Sequence, residues 1–258
     1  MVSSTLPGML EFAVDAAWQA GRITLAHFQT ALVPENKADN SPVTIADRAT
    51  EQKLRDLIGR YWPDHGVLGE EYGSQPGSSN YTWILDPIDG TRSFIHGVPL
   101  YAVLLALVDG EGRPPVLGVA HFPALNETLF AARGEGCYWN GRRVHVSAVA
   151  KLAEAALVAS ELDTFAPHGR AEAWEQLIAN TGIQRTWGDA YGYALVATGR
   201  AEIMVDPVMA VWDCGPHQVI LEEAGGTFTD WHGRPTIYAG ESIATNGALF
   251  DQVMRLIR

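Results

Sequence analysis

The stretch Trp83-Ile84-Leu85-Asp86-Pro87-Ile88-Asp89-Gly90-Thr91 decides how this chain is read. Its apolar start predicts a buried strand, and the strand delivers two carboxylates to the edge of a rigid sheet. Pro87 stiffens the turn between them, and the Ile88 carbonyl offers a further oxygen. Gly90 permits a backbone path or a close approach that a Cβ would block. Gly90 and Thr91 are placed to open a helix whose N–H groups face a phosphate. Two more acidic segments are candidates to join them: Gly69-Glu70-Glu71, after the short strand His65–Gly69, and Trp212-Asp213 far downstream. Four carboxylates at one point cannot all stay ionised without cations. Hard oxygen donors suit Mg²⁺, two or more ions, and so phosphate-ester chemistry.

Each piece alone also has a plain structural reading. Asp-Pro and Asp-Gly are turn pairs. Adjacent glutamates are commonly a solvated surface, and Asp213, ahead of a helix, serves as an N-cap. Asp47 sits inside a helical pattern and reads as an exposed charge; Lys37 reads as a loop charge. His65, His96 and His121 lack metal-ligand spacing and read as structural or surface residues.

Outward from this stretch, helical periodicity covers Leu10–Phe28 and about Ile45–Tyr61, the second stopped by Trp62-Pro63. Residues 73–80, polar and rich in Gly and Ser, read as a mobile loop beside the site. Tyr101–Val108, Pro115–His121 and Glu127–Ala132 predict a mostly antiparallel meander, and Asn140-Gly141 a hairpin after Cys137-Tyr138-Trp139. Beyond Val146 strands (Ala156–Ser160, Gln184–Thr186, Ala201–Val205) alternate with helices (Arg170–Asn180, Tyr191–Ala197, Trp212–Ala224), as in an α/β unit. Gly225-Gly226 closes the last helix. A soft boundary near Val144–Lys151 divides an N-terminal α+β half, 1–145, from a C-terminal α/β half, 146–258.

The 258 residues carry a net charge of −12, with 47% hydrophobic and 19% charged residues. That is a globular composition with no basic stripe, which argues against nucleic acid as a partner. An acidic protein handling phosphates needs metal ions locally, and its field draws in a cationic substrate group. The two cysteines form no C-x-x-C pair, so a reduced, cytoplasmic setting is the simplest reading. The N-terminus does not read as a signal peptide, and no apolar run approaches the ~20 residues of a membrane span.

Taken together, Gly69-Glu70-Glu71, Asp86-Pro87-Ile88-Asp89-Gly90-Thr91, Trp212-Asp213 and Glu222-Glu223-Ala224-Gly225-Gly226 resemble the inositol monophosphatase superfamily in order and spacing. Thr91-Arg92-Ser93-Phe94, Trp187-Gly188-Asp189-Ala190-Tyr191-Gly192-Tyr193 and the segment Arg200 to Pro207 are similar to its histidinol-phosphate phosphatase branch; inositol-specific members carry Thr-Asn-Phe where this chain has Arg92-Ser93-Phe94. The chain departs from the family at Cys214-Gly215-Pro216, in the pocket floor.

The resemblance implies a layered αβαβα sandwich and a homodimer. It implies that Glu70, Asp86, the Ile88 carbonyl, Asp89 and Asp213 hold two or three Mg²⁺. Thr91, Asp47 and Glu70 would be the catalytic groups, with Thr91 and Asp47 orienting and deprotonating the attacking water. Gly90 and Thr91 would meet the phosphate, and Gly188, Asp189 and Asp206 the organic half of a small phosphate monoester. Histidinol phosphate carries an ammonium and an imidazole, for which Asp189 and Asp206 offer anions. An inositol-1-phosphatase of the same mechanism, or a non-catalytic homologue that has kept the fold, are the alternatives.

Overall fold

The computed structural model describes residues 4–36 and 42–257; Lys37 and Ser41 lie outside them. In chain order the elements are α1 (Leu6–His27), β1 (Glu35–Asn36), β2 (Pro42–Val43), α2 (Ile45–Tyr61), β3 (Gly66–Gly69), β4 (Gly73–Gln75), β5 (Tyr81–Asp89), α3 (Thr91–Ile95), β6 (Ala102–Asp109), β7 (Pro115–Phe122), β8 (Glu127–Ala132), β9 (Gly136–Trp139) and β10 (Arg142–Arg143). The second part holds β11 (Ala156–Ala159), α4 (Ala171–Asn180), β12 (Ile183–Arg185), α5 (Ala190–Ala197), β13 (Ile203–Asp206), α6 (Val211–Cys214), α7 (His217–Glu223), β14 (Thr227–Thr229), β15 (Ser242–Thr245) and α8 (Phe250–Leu256).

Two sheets organise these elements. The larger runs β10-β9-β8-β7-β6-β5-β3-β4, antiparallel except where β3 lies parallel to β5. The smaller runs β12-β11-β13-β15-β14, with β12, β11 and β13 parallel. Side chains alternate across the large sheet as its pleat requires. Trp83, Leu85, Val103, Leu105 and Leu107 pack against α1 and α2 through Phe12, Ala16, Leu54 and Ile58. Ile84, Leu104 and Ala106 face the other way, toward Tyr193, Val196 and Ile220 of α5 and α7. The small sheet meets that same helical layer with Met204 and Ala244 and shows Leu157, Ile203 and Ile243 to α4 and α8. The result is the αβαβα layering implied by the resemblance. Trp83, Leu104 and Leu105 are wholly buried, and removing such a side chain costs about 2–5 kcal/mol.

Local chemistry sets the ends of the elements. α1 starts earlier than its periodicity predicts, at Leu6, because Thr5 caps it and Pro7 suits a first turn. Part of the expected mobile loop is the edge strand β4, which pairs with β3 from Gly69↔Gly73 to Val67↔Gln75. The single helix expected over Trp212–Ala224 is two, α6 and α7, interrupted at Gly215-Pro216, where proline offers no N–H for an intrahelical bond.

Candidate active site

β5 is not a regular strand. Asp86 pairs with Leu104 and Asp89 with Ala102, so three steps on β5 oppose two on β6. In an unbroken pleat, residues three apart point to opposite faces. The extra residue of this bulge turns both carboxylates to one side, and Pro87, which has no N–H to give the ladder, is tolerated there. Asp86 is 2% exposed, and its Oδ1 accepts from the Ile88 N–H at 3.0 Å. Asp89 Oδ2 accepts from the Ala190 N–H at 2.6 Å, at the start of α5, and so ties the large sheet to the second part of the chain.

Asp213 arrives from α6. It is not the N-cap ahead of a helix that the sequence suggests but the third residue of α6, and its Oδ2 reaches back to accept from the N–H of the cap residue Ala210 at 2.7 Å. The residue also presents an oxygen to the cluster. Asp86, Asp89 and Asp213 each place one carboxylate oxygen within 4.8 Å of the others. Glu70 lines the same cavity, and its charge bears on Asp86. Burial, then the charges of Glu70, Asp89 and Asp213, push the Asp86 carboxyl well above the usual range. Burial, then Asp189 and Asp213, do the same to Asp89. Burial raises Asp213 to about 6, with Glu70 adding to the rise. A buried group of acids at such close range is what a divalent cation relieves, so the donor set fits one.

Asp47 stands in the first turn of α2 and is 1% exposed, not the surface charge its helical position suggests. Oδ2 accepts from Thr44 N–H at 2.7 Å and Thr44 Oγ1 at 2.6 Å, which caps the helix and locks the side chain. Oδ1 faces Thr91 Oγ1 at 3.4 Å, and that hydroxyl donates to the Ile88 carbonyl at 2.9 Å. Burial raises the Asp47 carboxyl, opposed by the Thr44 hydrogen bonds and aided by the charge of Glu70.

Gly90 opens α3 with φ 78°, a conformation suited to glycine, and a Cβ there would also sit 2.9 Å from Asp189 Oδ2. Asp189 caps α5 with φ 50° and ψ −155°, a strained position for a residue with a side chain, of the kind that collects at functional sites. It is held by its N–H, which donates to Ser160 Oγ at 2.8 Å, and by Ser93 Oγ, 3.4 Å from Oδ2. Burial, then the charge of Glu161, lifts Asp189 to about 6. Gly188 lets this turn touch β11, because a Cβ would stand 2.2 Å from Ser160 Cα. Asp206 accepts from Ser160 N–H, Ser160 Oγ and Tyr193 Oη at 3.2, 3.0 and 2.8 Å, and burial lifts it to about 7.

Glu70, Asp86, Asp89, Thr91, Ser160, Asp189 and Asp213 line a cavity of about 550 Å³; Asp47 is not among its lining residues and meets it through Thr91. A smaller lobe of about 130 Å³ opens beside it, walled by Asp189, Asp206, Thr164 and Met209. The sequence reading did not single out Thr44, Ser93, Ser160 or Glu161. One signal was available: Ser160 ends a strand expected in an α/β unit, and ligand crevices in α/β sheets lie at such carboxyl ends. The histidines take the structural roles expected: Trp83 Nε1 donates to His65 Nδ1 at 3.1 Å, and His121 bonds Thr128 Oγ1 at 2.9 Å.

Residues 6–258 match the family model described as the inositol monophosphatase family, so the chain belongs to that family. It is an enzyme, a phosphoric monoester hydrolase. Among its relatives, a histidinol-phosphatase of Chlorobaculum parvum is 44% identical over 243 residues, covering 93% of each chain. A histidinol-phosphatase of Mycobacterium tuberculosis is 40% identical over 251 residues, covering 95% of this chain and 96% of the relative. The solved extragenic suppressor protein suhB of Bartonella henselae superposes with a TM-score of 0.89 at 29% identity, covering 97% of this chain and 98% of that one.

Proposed function

We propose that this enzyme is a Mg²⁺-dependent phosphatase that hydrolyses L-histidinol phosphate to L-histidinol and phosphate, a step of histidine biosynthesis. The observation that carries the metal reading is the trio of carboxylate oxygens within 4.8 Å, drawn from a bulged strand and a separate helix. Glu70, Asp86, the Ile88 carbonyl, Asp89 and Asp213 would hold two or three Mg²⁺. The bound ions would neutralise the phosphoryl oxygens and the leaving alkoxide.

The chain's own groups do the rest. Thr91 Oγ1, which lines the cavity, and Asp47 Oδ1 form a pair that orients a water and takes its proton; a raised, buried carboxylate is the better base for this task. The new P–O bond forms as the ester P–O bond breaks, and the alkoxide collects a proton from solvent. The opening turn of α3, with Gly90 and Thr91, holds the phosphate by its free N–H groups. Gly188 keeps the Asp189 turn against β11, and Asp189 and Asp206 supply anions for the ammonium and imidazole of the substrate.

The substrate reading is supported by the two relatives named as histidinol-phosphatases and by the acidic wall beyond the metal ligands. An inositol 1-phosphatase of the same mechanism is the second reading, since the family takes its name from that activity. The buried, free cysteines Cys137 and Cys214 support a cytoplasmic setting, and among the described residues no helix is long and apolar enough to cross a membrane. A homodimer of two-part subunits, divided near residue 145, completes the proposal. Phosphate release from histidinol phosphate and from inositol 1-phosphate, with and without Mg²⁺, tests it. Faster turnover of the inositol ester would replace the first reading by the second, and turnover indifferent to Mg²⁺ would end both.

A further inference from the structure

α2 reaches the site twice. Its first turn brings Asp47 to Thr91; one turn later, on the same side, stands Glu51, and one turn further Arg55. Glu51 is 0% exposed, a rare place for a glutamate unless it is paired. Its partners are three: Arg55 Nε donates to Oε1 at 2.8 Å, the Glu71 N–H to Oε2 at 2.7 Å and the Tyr72 N–H to Oε1 at 3.2 Å. Arg55 Nη2 donates onward to the Gly73 carbonyl, and its guanidinium lies over the Tyr72 ring at 5.9 Å. Gly69 is a glycine to make room, since a Cβ there would stand 2.1 Å from Glu51 Oε1.

The Glu70 N–H donates to the Leu85 carbonyl at 3.3 Å, on β5 one residue before Asp86. Three successive amides, 70 to 72, are therefore fixed, one to β5 and two to the Glu51 carboxylate. A Glu-Glu pair on a β3–β4 turn would otherwise leave both side chains in water. The fixed backbone instead turns Glu70 into the cavity, against the repulsion of Asp86 and Asp213.

We infer that Glu51 is a positioning residue for the metal centre: with Arg55 it clamps residues 70–72 so that the Glu70 carboxylate stays aimed at Asp86 and Asp213 and the centre reaches its full affinity for divalent ions. The inference rests on Glu70 being a ligand, as proposed above. It makes α2 the common support of the proton-accepting Asp47 and of the Glu70 turn.

The test is Mg²⁺ binding without substrate, by titration calorimetry, on wild type, Glu70→Gln, Glu51→Gln and the double variant E51M/R55M. The double variant exchanges the buried pair for apolar side chains of similar length, a change that buried ion pairs often tolerate. Melting curves establish that each protein is folded, and Glu51→Gln decides if the double variant is not. Both Glu51 variants should bind Mg²⁺ about tenfold more weakly, while kcat at saturating Mg²⁺ stays within about threefold of wild type. Wild-type affinity in folded Glu51 variants would overturn the positioning role and leave the metal reading standing. Wild-type affinity in Glu70→Gln would remove Glu70 from the centre, and the inference with it.

Discussion

Glu51 and Asp86 lie in the same part of the molecule, both almost out of reach of water, and their surroundings are opposite. Glu51 accepts from a guanidinium and two backbone amides. Asp86 accepts from one amide and otherwise looks at Glu70, Asp89 and Asp213. Burying a carboxylate is costly in both places, and the protein offsets that cost with its own donors in only one. The contrast separates an acid satisfied by the protein's own donors from acids left facing one another, the arrangement on which the proposed cation site rests, and it can be broken experimentally at several points.

The largest effect belongs to the cation side. Asp89→Asn should lower Mg²⁺-dependent phosphate release by about a thousandfold or more, because one ligand and its charge are gone from the transition state. The metal-free protein should melt no lower than wild type, since a repelled charge has been removed; a lower melting point would mean that Asp89 braces the fold as Glu51 does. On the bracing side, Glu51→Ala should cost about 3–5 kcal/mol in denaturant unfolding, the usual penalty for stranding a buried partner, here Arg55. Unchanged stability would erase the distinction.

Smaller effects sharpen it. Asp47→Asn should slow kcat by about a hundredfold and leave calorimetric Mg²⁺ affinity near wild type, as expected for a group that moves a proton and does not hold metal. Asp189→Ala should raise KM for histidinol phosphate by about tenfold and leave KM for an aryl phosphate alone. Equal changes on both would mean that Asp189 does not read the amine.

The smallest effect is on stability against pH. Burial raises Asp213 and Asp189 to about 6 and Asp206 to about 7, all from the ordinary carboxyl value of 3.8. Each binds its proton more tightly folded than unfolded, so their contribution to stability is full below pH 3.8 and is lost as pH rises through 6 and 7. The melting temperature of the metal-free protein should therefore fall by a few degrees between pH 5 and 7.5, and saturating Mg²⁺ should flatten that slope. An equal slope with and without Mg²⁺ would separate the cation from these acids.

Much of the architecture was legible because it depends on local pattern. The spacing of short, mostly apolar runs announced β6, β7 and β8, Asn140-Gly141 announced the β9–β10 hairpin, and the two long amphipathic helices appeared with errors only at their ends. The misses share a cause, in that the deciding contact lies far along the chain. β4 is a strand because β3 lies beside it, and the Trp212–Ala224 pattern breaks where Pro216 meets the large sheet at Gly118. The helical pattern did not single out Glu51, because the 70–72 turn that it holds comes from a separate part of the chain.

The acid-rich segments, their order and the apolar strand that delivers Asp86 and Asp89 are properties of the sequence alone, because residue type and spacing determine which groups are available and where the chain is rigid. Which acids converge was decided only in three dimensions. The bulge in β5 turns Asp86 and Asp89 to one side, α6 carries Asp213 across from the second part of the chain, and Glu51 holds the turn that aims Glu70. A carboxylate's role follows from what stands within a few ångströms of it, and contacts between residues a hundred positions apart are set by packing, not by local pattern.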